Sequence, residues 1–332
     1  MTDLLVTGET LVDFIADGQR SLRDTETFHR RAGGAPANVA VGLARLGRPP
    51  LFWTRVAEDP FGDHLVEVLA ENGVRPELIE RDPDAATALA FVSLDPDAER
   101  AFSFHRNGTA DTRLQPEAVD DATLEGVGWV HAGGVTLTAE PSRSATLDLM
   151  DRARDAGAVV SFDPNARPEL FDGEETLSAY RRAFDLADVI KATAADLVPG
   201  VLDGPVAESA AAGVDATATG STALARAITE QGPHTALVTR GADGAVAHAT
   251  PAAPWNQTAG SLTVEHPGYP VEPVDTTGAG DAFVAGAIRS LADDTSLAAA
   301  LEFANAVAAL STTEKGAMAA LPTRVDVAQM RE

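Results

Sequence analysis

Along the chain, short apolar runs alternate with segments whose apolar residues recur three or four positions apart. The runs at Leu4-Leu5-Val6, Leu51 to Arg55, Trp129 to His131, Ala158 to Phe162 and Thr235 to Thr239 read as strands. Val39, Leu43 and Leu46, at i, i+4 and i+7, mark a helix that Gly47 ends. Asp59-Pro60 supplies the N-cap and first-position proline of a second helix, which stops at Asn72-Gly73. Further helices are expected from about Ser142 to Gly157, from Ala279 to Ala292 and from Ser296 to Thr312. Such alternation predicts an α/β fold, a parallel sheet with helices on both faces. Two stretches break it. Near residues 10–30 and 88–106 the spacing becomes alternate, with Phe91, Phe102 and Phe104, which predicts antiparallel strands off the main sheet. Residues 203–222, rich in Ala, Gly and Thr, read as a surface insertion without chemistry. No repeat of 20–50 residues is visible, and a single domain over residues 1–332 is expected.

Charge changes this picture more than composition does. The 332 residues hold 25 Lys+Arg and 50 Asp+Glu, a formal net charge of −25. An acidic surface repels nucleic acid and anionic membranes, so neither is expected as a partner. Only Lys191 and Lys315 are lysines, so 23 of the 25 basic residues are arginine. Acid excess with lysine nearly absent reads as halophilic, a protein for a salt-rich cytoplasm; an ordinary acidic enzyme is the plainer alternative. The absence of cysteine removes disulfides, thiolate catalysis and Cys-ligated zinc. No apolar run reaches the ~18 residues of a membrane span, and Met1 to Gly8 carries no basic leader or cleavage site. A cytoplasmic location is therefore expected.

Two segments could carry chemistry. Ala32-Gly33-Gly34-Ala35-Pro36-Ala37-Asn38 opens the first helix, where paired glycines let a ligand approach backbone N–H groups and partial positive charge collects. It reads equally as a tight turn with Asn38 as a local polar group. The second segment is Asp275-Thr276-Thr277-Gly278-Ala279-Gly280-Asp281-Ala282-Phe283, entering a helix striped by Val284, Ile288 and Leu291. Gly278-Ala279-Gly280 at a helix N-terminus is an anion site. Asp281 beside it would repel a static phosphate, but suits a base next to a group that becomes anionic only during reaction; the alternative is a first-turn Asp complementing the helix dipole. No Gly-x-x-x-x-Gly-Lys-Ser/Thr is present, so this is not a P-loop protein. Gly278-x-Gly280-x-x-Phe283 lacks the third glycine of the dinucleotide fingerprint, which argues against an NAD-dependent oxidoreductase. The seven histidines show no metal-ligand spacing, so a protein metal cage is not expected.

In that order and about 240 residues apart, the two segments resemble the two signatures of the ribokinase-like (PfkB) carbohydrate kinases. The resemblance spans essentially the whole chain. Its intermediate landmarks are Val56-Ala57-Glu58-Asp59-Pro60-Phe61-Gly62, Arg106-Asn107 with Ala110-Asp111, Phe162-Asp163-Pro164-Asn165 with Arg167, and Thr239-Arg240-Gly241-Ala242-Asp243-Gly244. It implies a three-layer α/β/α domain with a mainly parallel central sheet, and a small β-strand lid formed by the strands near 10–30 and 88–106. It implies ATP as phosphoryl donor, with Asp281 as base and the N–H groups of Gly278, Ala279 and Gly280 as anion hole. Asp13, Gly33, Gly34, Asn38, Arg106, Asn165 and Arg167 match sugar-holding positions. ATP would lie near Arg240, Gly241, Gly244 and Asn305, with Mg²⁺ arriving on its phosphates. A monovalent cation site, K⁺ in a potassium-rich cytoplasm, is implied near Asp275, Thr277 and Gly316. In many relatives the lid also supports a homodimer.

One departure stands out. Many relatives carry Asn-x-x-Glu after the strand ending near Lys191, acting on the Mg²⁺ and phosphate water network; here the run is Thr193-x-x-Asp196. That puts the role of Thr193 in doubt, while Asp196 keeps a carboxylate for metal-bound water. Gly8-Glu9-Thr10-Leu11-Val12-Asp13-Phe14, the Gly-Gly-Ala-Pro-Ala-Asn run and Thr313-Glu314-Lys315-Gly316-Ala317 resemble fructokinases, implying phosphorylation of fructose at its 6-hydroxyl. The main rival substrate is 2-keto-3-deoxygluconate, whose carboxylate Arg106 and Arg167 could meet; ribose and nucleosides follow. A non-catalytic sugar-binding or regulatory relative is a reading from another class, against which the intact Asp281 and glycine run speak.

Overall fold

The computed structural model describes residues 2–18, 21–94, 100–171, 173–196, 201 and 218–331. The thirteen strands among these described residues form two sheets. The large sheet has nine strands: β1 (Asp3–Thr7), β4 (Leu51–Ala57), β5 (Ile79–Asp82), β8 (Val127–Gly133), β9 (Val159–Asp163), β10 (Val189–Ala192), β11 (Thr235–Thr239), β12 (Ala245–Ala249) and β13 (Leu262–His266). They lie in the order β13-β12-β11-β10-β9-β8-β1-β4-β5. Every pair from β11 to β5 is parallel, and β12 and β13 close the other edge antiparallel. β2 (Leu11–Ala16), β3 (Phe28–Gly33), β6 (Leu89–Leu94) and β7 (Arg100–His105) form a separate four-stranded sheet. The aromatic period-2 stretches supply all four; β2–β3 and β6–β7 pair antiparallel as expected, but β2 and β6, which join the two hairpins, run parallel.

Nine helices are described: α1 (Ala35–Arg45), α2 (Pro60–Glu71), α3 (Asp121–Glu125), α4 (Ser142–Asp155), α5 (Gly173–Leu186), α6 (Ala218–Thr229), α7 (Ala279–Leu291), α8 (Leu297–Ser311) and α9 (Arg324–Met330). They cover both faces of the large sheet. Side chains alternate across it, so Leu5 enters a core with Leu149, Tyr180 and Ile228, while Leu4 and Val6 enter one with Leu43, Ile288 and Leu301. The fold is thus the three-layer α/β/α arrangement, with its small second sheet. No described helix is long and apolar enough to cross a membrane.

Local chemistry sets the helix starts. The Asp59 carboxylate accepts from the N–H groups of Phe61 and Gly62 at 3.0 and 2.8 Å, and Pro60 occupies the first turn. Ser296 caps α8 through the N–H of Ala299. Of the stretch read as an insertion, residues 203–217 lie outside the described residues. From Ala218 it is helix, and beyond the small-residue run Leu224, Ala225 and Ile228 give α6 a buried stripe.

One packing contact positions the site. Gly42 of α1 faces Ala285 of α7, where an added Cβ would meet the alanine methyl at 2.7 Å. Arg289 Nε donates to the Leu46 carbonyl at 3.2 Å at the other end of the pair. The two helices therefore lie close and run the same way, and their glycine-rich N-termini come together across more than 240 residues.

Candidate active site

Each of those N-termini contributes one half of a polar contact. Asn38, in the first turn of α1, donates through Nδ2 to Asp281 Oδ2 at 2.7 Å, and its Oδ1 is buried without a partner. Gly278, at φ +78°, caps α7 in the left-handed region; a Cβ there would meet the Ala317 methyl at 2.7 Å. The chain can therefore turn sharply into α7 and leave the N–H groups of Gly278, Ala279 and Gly280 at its positive end. Burial pushes the Asp281 carboxyl up to about 7; the hydrogen bond from Asn38 opposes this and the neighbouring Asp163 adds to it. A carboxylate at the middle of the pH scale is matched to taking a proton.

Asp13, on β2 of the small sheet, faces the same space. Burial and then the charge of Asp281 raise its carboxyl to about 7, and Arg167 opposes them. The absence of a side chain at Gly33 makes room for it, since a Cβ there would fall 2.1 Å from Asp13 Oδ2. Gly34 is at φ +106°, and a Cβ would come within 2.5 Å of the Glu9 carbonyl. Gly34→Ala should therefore cost on the order of 2–3 kcal/mol of stability, read as a lower midpoint in urea unfolding. An unchanged midpoint would show that the turn is not strained in this way.

Behind these groups, the ends of β9 and β10 carry a second cluster. Asp163 Oδ1 accepts from the Asn165 N–H at 3.1 Å, with Asn165 at φ +37°. Arg167 donates to the carbonyls of Asn165 and Ala166 at 3.1 Å, and its guanidinium lies over the Phe102 ring of β7, 5.8 Å from the centroid. Thr193 and Asp196 cap each other: the Thr193 N–H donates to Asp196 Oδ2 at 2.8 Å, and the Asp196 N–H to Thr193 Oγ1 at 3.2 Å. The Thr193 N–H thus orients the carboxylate from within the same turn.

The other sequence candidates make contacts of their own. Arg106 is buried and ion-paired to Asp111, with a second bond to Thr138 Oγ1 at 2.7 Å; its Nη2 has no partner. Arg240 donates to Glu265 Oε1 at 2.7 Å and to the His266 carbonyl. Gly241 and Gly244 both have positive φ, and a Cβ on Gly244 would overlap the His266 carbonyl at 2.0 Å. Asn305 Nδ2 donates to the Leu301 carbonyl of its own helix at 2.7 Å. Asp275 accepts from the N–H and hydroxyl of Thr277 through Oδ1, and from the Gly316 N–H at 3.0 Å through Oδ2, so one carboxylate ties those two loops together.

Two site residues escape a reading from motifs. Glu9 accepts from the Ala35 N–H at 3.2 Å, but its Oε2 is buried and unpartnered, and burial raises its carboxyl to about 7. Lys191, 7% exposed, donates to Asp163 Oδ2 at 3.0 Å. Its rarity in the composition was the available signal.

A profile of pfkB family carbohydrate kinases matches residues 1–324. The chain is 36% identical over 334 residues to a protein named fructokinase-1 from rice (Oryza sativa subsp. japonica), covering 98% of this chain and 96% of that one. Fructokinase from Xylella fastidiosa with bound ATP superposes with a TM-score of 0.82 at 33% identity, covering 99% and 98% of the two chains. Fructokinase from Vibrio cholerae, in a form with fructose, ADP and calcium ion bound, gives 0.79 at 33% identity, covering 100% and 99%.

Proposed function

The chain belongs to the pfkB family of carbohydrate kinases, and we propose that the sugar whose hydroxyl it phosphorylates is D-fructose, converted to fructose 6-phosphate with ATP as donor. The observation that carries the chemistry is the Asn38–Asp281 contact, which fixes a carboxylate at the mouth of an anion hole. Asp281 takes the proton of the sugar hydroxyl as that oxygen bonds to the γ-phosphorus. The bond from phosphorus to the departing ADP oxygen breaks in line, and the N–H groups of Gly278, Ala279 and Gly280 bind the charge on the transferring phosphoryl. Fructose is favoured by the names of the relatives and by the bound sugar of the Vibrio cholerae protein. Arg106 is already paired with Asp111, which leaves Arg167 as the cation a sugar acid would need.

Asp13, Gly33, Gly34, Asn38, Asn165 and Arg167 would hold the sugar, and the small sheet would close over it as a lid that excludes water. The adenosine would lie toward Gly241, Gly244 and Asn305. A divalent metal such as Mg²⁺ neutralises phosphate charge when it arrives with ATP; Asp196, held below the ordinary carboxylate range by Lys191 and Thr193 despite its burial, fits as an orienter of its water. The loops joined by Asp275 fit a monovalent cation, K⁺, at Thr277 and Gly316. On the lid, Phe14, Phe28 and Phe91 form a half-buried aromatic cluster, with Phe91 5.2 and 5.5 Å from the other two ring centroids, and a homodimer would form through this sheet. Use of ATP suits a cytoplasmic enzyme.

The test is ADP release in 2 M KCl with fructose, 2-keto-3-deoxygluconate or ribose as acceptor. Turnover is expected with fructose, and the product should be a 6-phosphate by NMR. Turnover confined to the keto acid would keep the kinase and replace the sugar.

A further inference from the structure

Resting on that kinase reading, we propose that Lys191 is a positioning residue for phosphoryl transfer, a fixed cation beneath the anion hole that sets the charge met by Asp281 and the incoming phosphates.

Its ammonium joins three elements. Nζ bonds to Asp163 Oδ2 at the end of β9 and lies 3.6 Å from Asp196 Oδ2 after β10. On its third side is the first turn of α7, where a Cβ on Gly280 would meet Nζ at 3.1 Å. Against burial, which pulls it down, the two carboxylates hold the ammonium above the ordinary lysine range, so it is charged at every working pH. Beneath it is a cavity lined by Trp129, His131, Ser161, Val284 and Ile288. His131 is the titratable group facing it there, and burial together with the charge of Lys191 pushes its imidazole down to about 3. The floor is therefore neutral. The anionic groups facing the ammonium are Asp163 from β9, Asp196 from the following turn and Asp281 from α7, and Arg167 is the other cation among them.

A purely structural ion pair would be served by arginine, which supplies 23 of the 25 basic side chains. The slot beside Gly280 instead takes a compact ammonium, for which a planar guanidinium is no substitute. Its distance from the α7 backbone places a full positive charge next to the N–H groups that would bind the phosphoryl, in surroundings that screen it poorly.

The experiment compares Lys191→Met and Lys191→Arg with the parent in kcat, the KM of each substrate, the pH profile and thermal unfolding. For Lys191→Met, kcat should fall about 100-fold with the KM for fructose within a few-fold. The acid limb of kcat/KM should move up by about one pH unit, because Asp281 loses a cation that favours its ionised form. Lys191→Arg should fold and stay at least tenfold down. Should Lys191→Met not fold, Lys191→Gln removes the charge while offering Asp163 Oδ2 an N–H donor, and the same limb shift is expected. A variant that is less stable but keeps the parental kcat and acid limb would overturn the proposal, as would full activity in Lys191→Arg. A parent that phosphorylates no sugar would instead overturn the kinase reading.

Discussion

Asp281→Asn should lower kcat by about three to four orders of magnitude while leaving the unliganded fold more stable above neutral pH. Loss of a positioned general base costs about 10²–10⁴-fold, and the upper end is expected here because Asp281 is the carboxylate that Asn38 holds beside the glycine run. Asp13 is near, but its charge interacts with Asp281 and it belongs to the small sheet. Asparagine keeps an oxygen for Asn38 Nδ2, so the helix contact survives and the loss reports on proton transfer. Stability moves the other way. The folded-state carboxyl is raised from 3.8 to about 7, so its contribution is complete below about pH 4 and is lost as pH rises through about 7. Above that, ionisation costs the folded parent on the order of 4 kcal/mol, which the amide avoids. Urea midpoints of parent and variant should thus separate between pH 4 and 7 and stay apart above it. In the parent, kcat/KM should fall about tenfold per pH unit below about 7. A variant retaining more than a tenth of parental kcat would remove Asp281 from the role of base.

The elements that read most clearly from sequence are those fixed by local chemistry. The strand Thr235–Thr239 ends where its apolar run ends, and α2 starts where Asp59-Pro60 can cap it. Gly278 marks the start of α7 because only glycine tolerates that turn against Ala317. What the sequence hides depends on sheet order. Asn38 meets Asp281 because Gly42 lets α1 lie against α7, and no local pattern records which helices become neighbours. Lys191 looks like the end of a strand until β9 is placed beside β10 and Asp163 comes within reach. Arg106 shows what motif position leaves out. Motif position offers it to the sugar; in the fold Asp111, five residues on, holds its Nε while Nη2 stays without a partner. A charged side chain read from sequence is free; in the fold its first obligation is to whatever buries it.

Moving the protein from 2 M to 0.1 M KCl should lower its unfolding free energy by several kcal/mol, and the sign follows from a competition between two electrostatic effects. A chain of this length has an outer radius of roughly 26 Å, and spreading the −25 charge over it gives a self-repulsion of roughly 12 kcal/mol near 0.15 M salt and roughly 5 at 1 M. The unfolded chain repels itself as well, so only part of that difference reaches stability. Opposing it are the surface ion pairs, such as Arg182–Asp151 at 3.0 Å and Arg181–Glu174 at 3.2 Å, which salt weakens. Such exposed pairs are worth about 0–1 kcal/mol each, so salt has little to remove from them. They therefore lose little, while the long-range repulsion loses more than half its strength. Against a typical total of about 5–15 kcal/mol, relief of the repulsion decides the outcome. Urea, being uncharged, allows the unfolding free energy to be measured from 0.1 to 2 M KCl, and a rise over that range is the expected result. NaCl should serve equally for stability if the effect is screening, whereas K⁺ should be preferred for turnover if the loops joined by Asp275 hold it. A stability that is flat or falls with salt would mean that local pairing outweighs net charge, and the acidic composition would then need another cause.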